Sequence, residues 1–201
     1  MLGQDGPMTK RCRQPTRDGM RLLDKTRERA GEAKEVTMES LKDVYIDQLQ
    51  DLYSANLQAV KATKDLARRA RSTKLQQALE RGIDGIEEGA RTLQSLVRGH
   101  DANPNGEHCK GMEGLVREAR AHAVTETFGS DAVRDAVIIT QYQRMAHYAI
   151  AGYGCAAAFA RQLGLKHEAE TLGTMLEAAY SGDRTMSDIA EASVNERATQ
   201  D

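Results

Sequence analysis

The side chains able to do chemistry in this chain are few and scattered. His100, His108 and Cys109 lie in or beside one loop, and nitrogen and sulfur donors of that kind suit transition metals. They lack a recognised ligand spacing and a fourth partner, so unrelated loop residues are the simpler reading. His147 stands inside a long helical segment, where a hydrogen-bonded core or interface histidine is expected rather than a ligand. Glu87 and Glu88 read as a solvated helix face. Cys155 sits among small apolar residues and is expected to pack as a small hydrophobe. There is no GxSxG, no phosphate-binding glycine loop, no HExxH and no zinc-type His/Cys cluster. Catalysis by an ordinary nucleophile has no support in these residues.

A pattern of small residues is more informative. Gly82, Gly85 and Gly89 are three and four apart, so they share one face of a helix. Each glycine inside a helix costs roughly 1 kcal/mol relative to alanine, and three on one face need a reason. Ala146 and Ala149 share a face with Tyr153, Ala178 and Ala179 precede Gly182, and Asn56 interrupts the apolar run between Leu52 and Val60. Two accounts fit the spacing. Small residues let helix backbones approach closely, or each position once carried a larger, functional side chain.

These positions belong to helices that the periodicity marks out. From Thr37, an N-cap type of residue, apolar residues recur at Leu41, Tyr45, Leu49, Leu52, Val60 and Leu66, giving a helix from Met38 to about Ala70. Ser72 or Thr73 caps a second helix with the stripe Leu75, Leu79, Ile86, Leu93 and Val97, and Gly99 is placed to stop it. A loop with Asn103-Pro104-Asn105-Gly106 leads to a short helix from Met112 to about Val124. Ser130 caps the third long helix, Asp131 to Leu163, ended by Gly164. The fourth begins near His167 and runs to Ser181 or, past Gly182-Asp183, to Val194. Four long helices with short connections predict an antiparallel bundle, the short helix riding in its long crossover.

Composition and charge narrow the function classes. The 201 residues carry 40% hydrophobic and 29% charged side chains with no Trp, which suits helices packed through Leu, Ile, Val, Met and Ala. The net charge of −2 gives no general attraction to nucleic acid or an anionic membrane, and neither is expected as a partner. Residues 1–36 hold nine Lys/Arg and six Asp/Glu, so +3 lies there and −5 in the remainder. They read as a basic, disordered N-terminal arm, and residues 37–201 as the bundle. Three widely spaced cysteines without CxxC fit a reducing compartment, and with neither a signal peptide nor a membrane-spanning stretch the expected location is cytoplasmic.

Four ordered motifs resemble the ferritin-like YciE/YciF family. Asp51-Leu52-Tyr53-Ser54-Ala55 is similar to its D-x-Y-S-A-E signature, and Met112-Glu113-Gly114-Leu115 to its M-E-G-L segment after a cysteine, here Cys109. His147-Tyr148-Ala149-Ile150-Ala151-Gly152-Tyr153-Gly154 resembles E-H-Y-E-I-A-S-Y-G, and Gln162-Leu163-Gly164 matches the end of that helix. The resemblance covers residues 37–194 and implies a ferritin-like four-helix bundle and a homodimer. It also implies a site where carboxylates and histidines from four helices hold two ions of iron or manganese.

Carried over position by position, that site is largely gone. The glutamate of the first helix is Asn56, and the segment H-L-E-E-T-x-x-H reads Gly82-Ile83-Asp84-Gly85-Ile86-Glu87-Glu88-Gly89. The glutamates of E-H-Y-E are Ala146 and Ala149, and those of the fourth helix are Ala178 and Ala179. The vestigial positions are thus Asn56, Asp84, Gly85, Gly89, Ala146, Ala149, Ala178 and Ala179. Removing clustered carboxylates relieves repulsion and desolvation, and leaves volume for Tyr142, Tyr148, Tyr153, Met145 and Met175 to fill. The expectation is a metal-free, non-catalytic bundle acting through protein contacts, with a role in stress response implied by the resemblance alone. One alternative is an iron or manganese oxidoreductase or ferroxidase with a remodelled site at Asp84, His147 and Glu177. Another is a small-molecule carrier that uses the vacated space.

Overall fold

The computed structural model describes residues 38–200, and every secondary-structure element among them is helical. The basic arm 1–36 lies outside the described residues, as does Thr37. Helix α1 spans Leu41–Arg69 and is capped by Ser40. The Ser40 hydroxyl accepts from the Asp43 backbone N–H at 3.2 Å, while the Asp43 carboxylate accepts from Ser40 N–H at 2.9 Å. This reciprocal box, with acid in the first turn, starts the helix three residues later than the expected Met38.

Helix α2, Thr73–Gly99, is capped by Ser72, one of the two candidates, whose side chain accepts from Leu75 N–H. Gly99 is still helical, contrary to its expected role as the stop. The left-handed residue is Asp101, with φ 57°, in a conformation that Asp tolerates better than most side chains. Helix α3, Lys110–Ala119, starts two residues before the expected Met112 because the Cys109 sulfur accepts from Met112 N–H. It continues as a π-helical turn, Arg120–Thr125. Helix α4, Asp131–Gln162, is capped by Ser130, and Gly164 (φ 74°) supplies the left-handed turn beyond its end.

Helix α5 spans Lys166–Ile189 and passes through Gly182-Asp183 without a break. A π turn, Ala190–Val194, and a last helical turn α6, Asn195–Ala198, follow. Buried Met186 and Val194 anchor this stretch to the core, which offsets the roughly 1 kcal/mol cost of Gly182.

Two antiparallel hairpins, α1–α2 and α4–α5, form the bundle, joined by the crossover that holds α3. The crossover makes α2 and α4 run the same way, since Gly82 lies beside Tyr142 and Gly89 beside Tyr153. Apolar side chains collect in two clusters along the bundle. Leu66, Leu75, Leu79, Met112, Ile138 and Met186 fill one end, and Tyr45, Leu49, Leu52, Leu93, Val97 and Leu172 fill the other. Each such burial contributes about 1.5–3 kcal/mol. The small residues and Asn56 lie at the waist between the clusters. No helix among the described residues is long and apolar enough to cross a membrane.

Candidate functional site

At the waist the helices do not close on one another. A cavity of about 650 Å³ lies between α2 and α5, with α1 and α4 as its floor. Arg81, Gly85, Glu88 and Thr92, at helical spacing, form the α2 rim, and Thr171, Thr174, Ala178, Ser181 and Thr185 form the facing rim on α5. Exposed residues on both rims leave the cavity open to solvent along this seam.

Of the eight vestigial positions, Asn56, Gly85, Gly89, Ala146, Ala149, Ala178 and Ala179 line this one cavity. Asp84 does not: it is exposed on the outer side of α2. Glu177 is likewise exposed and outside the cavity. Of the core or interface places expected for His147, the core is excluded, because its side chain is 63% exposed and its Nε2 lies 3.2 Å from Asp183 Oδ1 on the bundle's surface. The three residues of the remodelled metal site are therefore not brought together. Tyr142, Tyr153, Met145 and Met175 do edge into the vacated space, whereas Tyr148 faces another part of the bundle.

The polar groups of the wall are mostly spoken for. Asn56, 3% exposed, donates from its amide to the Tyr153 hydroxyl at 2.8 Å. Burial pushes the Tyr153 hydroxyl up to about 12, against the lowering effect of its hydrogen bond with Asn56. Thr63, Thr171, Thr174 and Thr185 each donate to the carbonyl four residues earlier in their own helix. Their donors are thus unavailable to a ligand, and the wall behaves as an apolar surface. Tyr142 differs: it is 7% exposed, and its hydroxyl has no hydrogen-bond partner among the described residues. Burial first, and the Asp183 carboxylate second, raise its pKa.

These donors do not fit a pair of iron or manganese ions. Such ions need several carboxylates converging on one spot. The wall offers one, Glu88 at the rim, already held by Arg91 at 2.6 Å. Among the described residues no three His, Cys, Asp or Glu side chains are grouped closely enough to hold a metal.

Elsewhere, His100, His108 and Cys109 point to separate partners. His100 Nε2 lies 2.9 Å from Glu168, which also accepts from the Tyr45 hydroxyl at 2.6 Å, and His108 pairs with Glu113. Cys109 donates to the Tyr148 hydroxyl at 2.9 Å, which donates to Asp51 at 2.7 Å. This chain ties α1, the crossover and α4 together. Burial raises the Cys109 thiol pKa, opposed by its bond to Tyr148, and raises that of Tyr148 as well. Cys155 is exposed, contrary to its expected burial.

Sequence reasoning missed the lone hydroxyl of Tyr142 and the place of Arg81 on the cavity rim. It also missed Asp135, 2% exposed, which accepts from the backbone N–H groups of Arg71 and Ser72 and fixes the α1–α2 corner. Its position three before Ile138 and seven before Tyr142, on the apolar stripe, was the available signal.

Two antiparallel helical hairpins with a helix in the crossover define an all-α bundle protein whose waist is hollow on one side. The chain belongs to the family described as "Domain of unknown function (DUF892)", which matches residues 40–199. It is 34% identical to Protein YciF of Escherichia coli strain K12 over 164 residues, covering 81% of this chain and 98% of YciF. The crystal structure of the E. coli stress protein YciF matches with a TM-score of 0.73 at 33% identity, covering 79% of this chain and 99% of that one. YcfI from Rhodopseudomonas palustris matches with a TM-score of 0.70 at 25% identity, covering 78% and 98%. The YciF-like kinship read from the motifs is therefore established.

Proposed function

We propose that this chain is a metal-free, non-catalytic ferritin-like bundle that binds an apolar small molecule in the waist cavity. The observation that carries this reading is the cavity itself, lined by seven of the positions that the family resemblance assigns to metal ligands. Its volume falls within the 300–1,000 Å³ usual for ligand pockets. A dry, enclosed void of about 650 Å³ would cost on the order of 15 kcal/mol, at about 24 cal/mol per Å³. That matches the whole stability of an ordinary domain. The volume is therefore hydrated or occupied, and an apolar wall favours an apolar occupant.

This reading adds a ligand to the expected action through protein contacts, which an open waist does not oppose. By kinship with YciF, named a stress protein, the role is proposed to lie in the stress response, with a homodimer as the working form.

Titration with Nile red, a neutral apolar dye, tests the reading. Saturable binding is expected at one dye per chain, and Gly85→Leu with Ala149→Leu should abolish it while the chain stays folded. Absence of saturable binding, or binding untouched by the filled cavity, would sink the proposal.

A further inference from the structure

We infer that the cavity is built for a carboxylate-headed amphiphile, its head held by Arg81 and Tyr142 and its tail lying along the waist toward Gly89. This rests on the reading of the cavity as a ligand pocket. Three observations name the ligand class.

The first is the hydroxyl of Tyr142, a residue 7% exposed, which opens on the cavity with no partner among the described residues. A hydroxyl that faces the cavity without a protein partner is free to donate to an acceptor oxygen of a ligand in place of water. The hydroxyl has a defined place: a Cβ at Gly82 would come within 2.7 Å of it, and one at Gly182 within 3.5 Å. Glycine at 82 gives it room to reach α2 at that level.

The second is Arg81, next in sequence to Gly82 and part of the cavity's rim. Among the described residues it forms no ion pair. The other rim charge, Glu88, is paired with Arg91 and sits two turns further along α2. Asp183, the acid nearest Tyr142, is engaged outside the cavity by Gln143 at 3.1 Å and by His147. A guanidinium and a hydroxyl at one level form a donor pair suited to a carboxylate.

The third is the shape of the remainder. From Arg81 to Thr92 the cavity follows α2 for roughly 16 Å at 1.5 Å per residue. The wall passes Gly85, Ala149 and Met175 to the closed Asn56–Tyr153 pair, and the hydroxyls of Thr92 and Ser181, also without a partner among the described residues, lie on the solvent-facing rim. A single-headed chain molecule fits; a dicarboxylate does not.

Calorimetric titration of the full chain with dodecanoate and with dodecanol tests the assignment. Dodecanoate should bind at least about tenfold tighter, the advantage of a charge-assisted pair. Arg81→Gln and Tyr142→Phe should each weaken dodecanoate while leaving dodecanol unchanged. Among the described residues neither side-chain group has a protein partner to lose, so both variants should unfold at the wild-type denaturant concentration. Equal affinity for acid and alcohol, or dodecanoate binding unaffected by both substitutions, overturns the inference. If Nile red binds under the same conditions, that result leaves the cavity's role as a pocket standing. Failure of all three probes removes both.

Discussion

Two glycines show how differently the two seams of this bundle are built. At Gly152, where α4 crosses α1, a Cβ would fall within 2.5 Å of Leu52, which is fully buried. At Gly85, on the seam between α2 and α5, a Cβ would meet nothing within 4 Å. The first glycine exists because a neighbour already fills the space. The second borders space that nothing fills. The α1–α4 seam is further bound by the Asp51–Tyr148–Cys109 chain and by Asn56 with Tyr153. Small residues alone thus do not reveal whether helices have approached one another or stand apart.

The largest effect should come from refilling the open seam with charge. Asn56→Glu, Gly85→Glu, Ala149→Glu and Ala178→Glu together place four carboxylates around one cavity. Without metal, their desolvation and mutual repulsion should cost several kcal/mol. Manganese(II) should restore the loss, because a ligand that binds only the folded chain stabilises it by mass action. Thermal unfolding with and without manganese is the measurement. A folded variant indifferent to the ion would mean that the four positions do not converge as described.

Next comes the direct test of the glycine contrast. Gly152→Leu should destabilise by about 2–3 kcal/mol through overpacking against Leu52. Gly85→Leu should lie within about 1 kcal/mol of wild type, since removing a helix glycine is favourable and the new side chain meets no obstacle. Urea unfolding reads both. Equal costs would break the comparison between the seams.

Smaller effects should sharpen it. Tyr148→Phe removes the hydroxyl that joins Cys109 to the Asp51 carboxylate, at a cost of about 1.5–3 kcal/mol. Peptide-mapped alkylation should modify exposed Cys155 in the native protein and buried Cys109 only on unfolding, with Tyr148→Phe accelerating the second reaction.

The last effect, confined to alkaline solution, is a loss of stability at high pH. Tyr153 ionises near 10 when unfolded and near 12 when folded, so the folded state holds its proton longer. Its contribution is complete below pH 10 and is lost as pH rises from 10 to 12. Urea midpoints across that range should fall, and Tyr153→Phe should flatten the decline.

How much of this was legible depended on whether a local signal had a competitor. Ser130 stands alone before a strong stripe and caps its helix, while Ser72 and Thr73 compete at the second helix and Ser72 takes the cap. Thr37 and Ser40 are both N-cap types, and only Ser40 has an acid three residues on to complete the box. Gly182-Asp183 resembled a stop, yet the packing of Met186 and Val194 outweighs a local cost. Cys155 sits in a run of uniformly small residues, which carries no polar face from which its exposure could be read.

The positions around the cavity were named from motif alignment, but motifs say nothing about volume. Whether four helices collapse around missing side chains is decided by the core clusters at either end. Those clusters hold the frame apart at its waist. Tyr142 was foreseen as a filler, whereas its unpartnered hydroxyl could be found only once its neighbours were in place.

The central claim is that this waist is a pocket and not a metal centre. Elemental analysis of the full chain, expressed with excess iron and manganese and freed of loosely bound ions, tests it most directly. The account predicts far less than one ion of either metal per chain. Two tightly held ions per chain would contradict it.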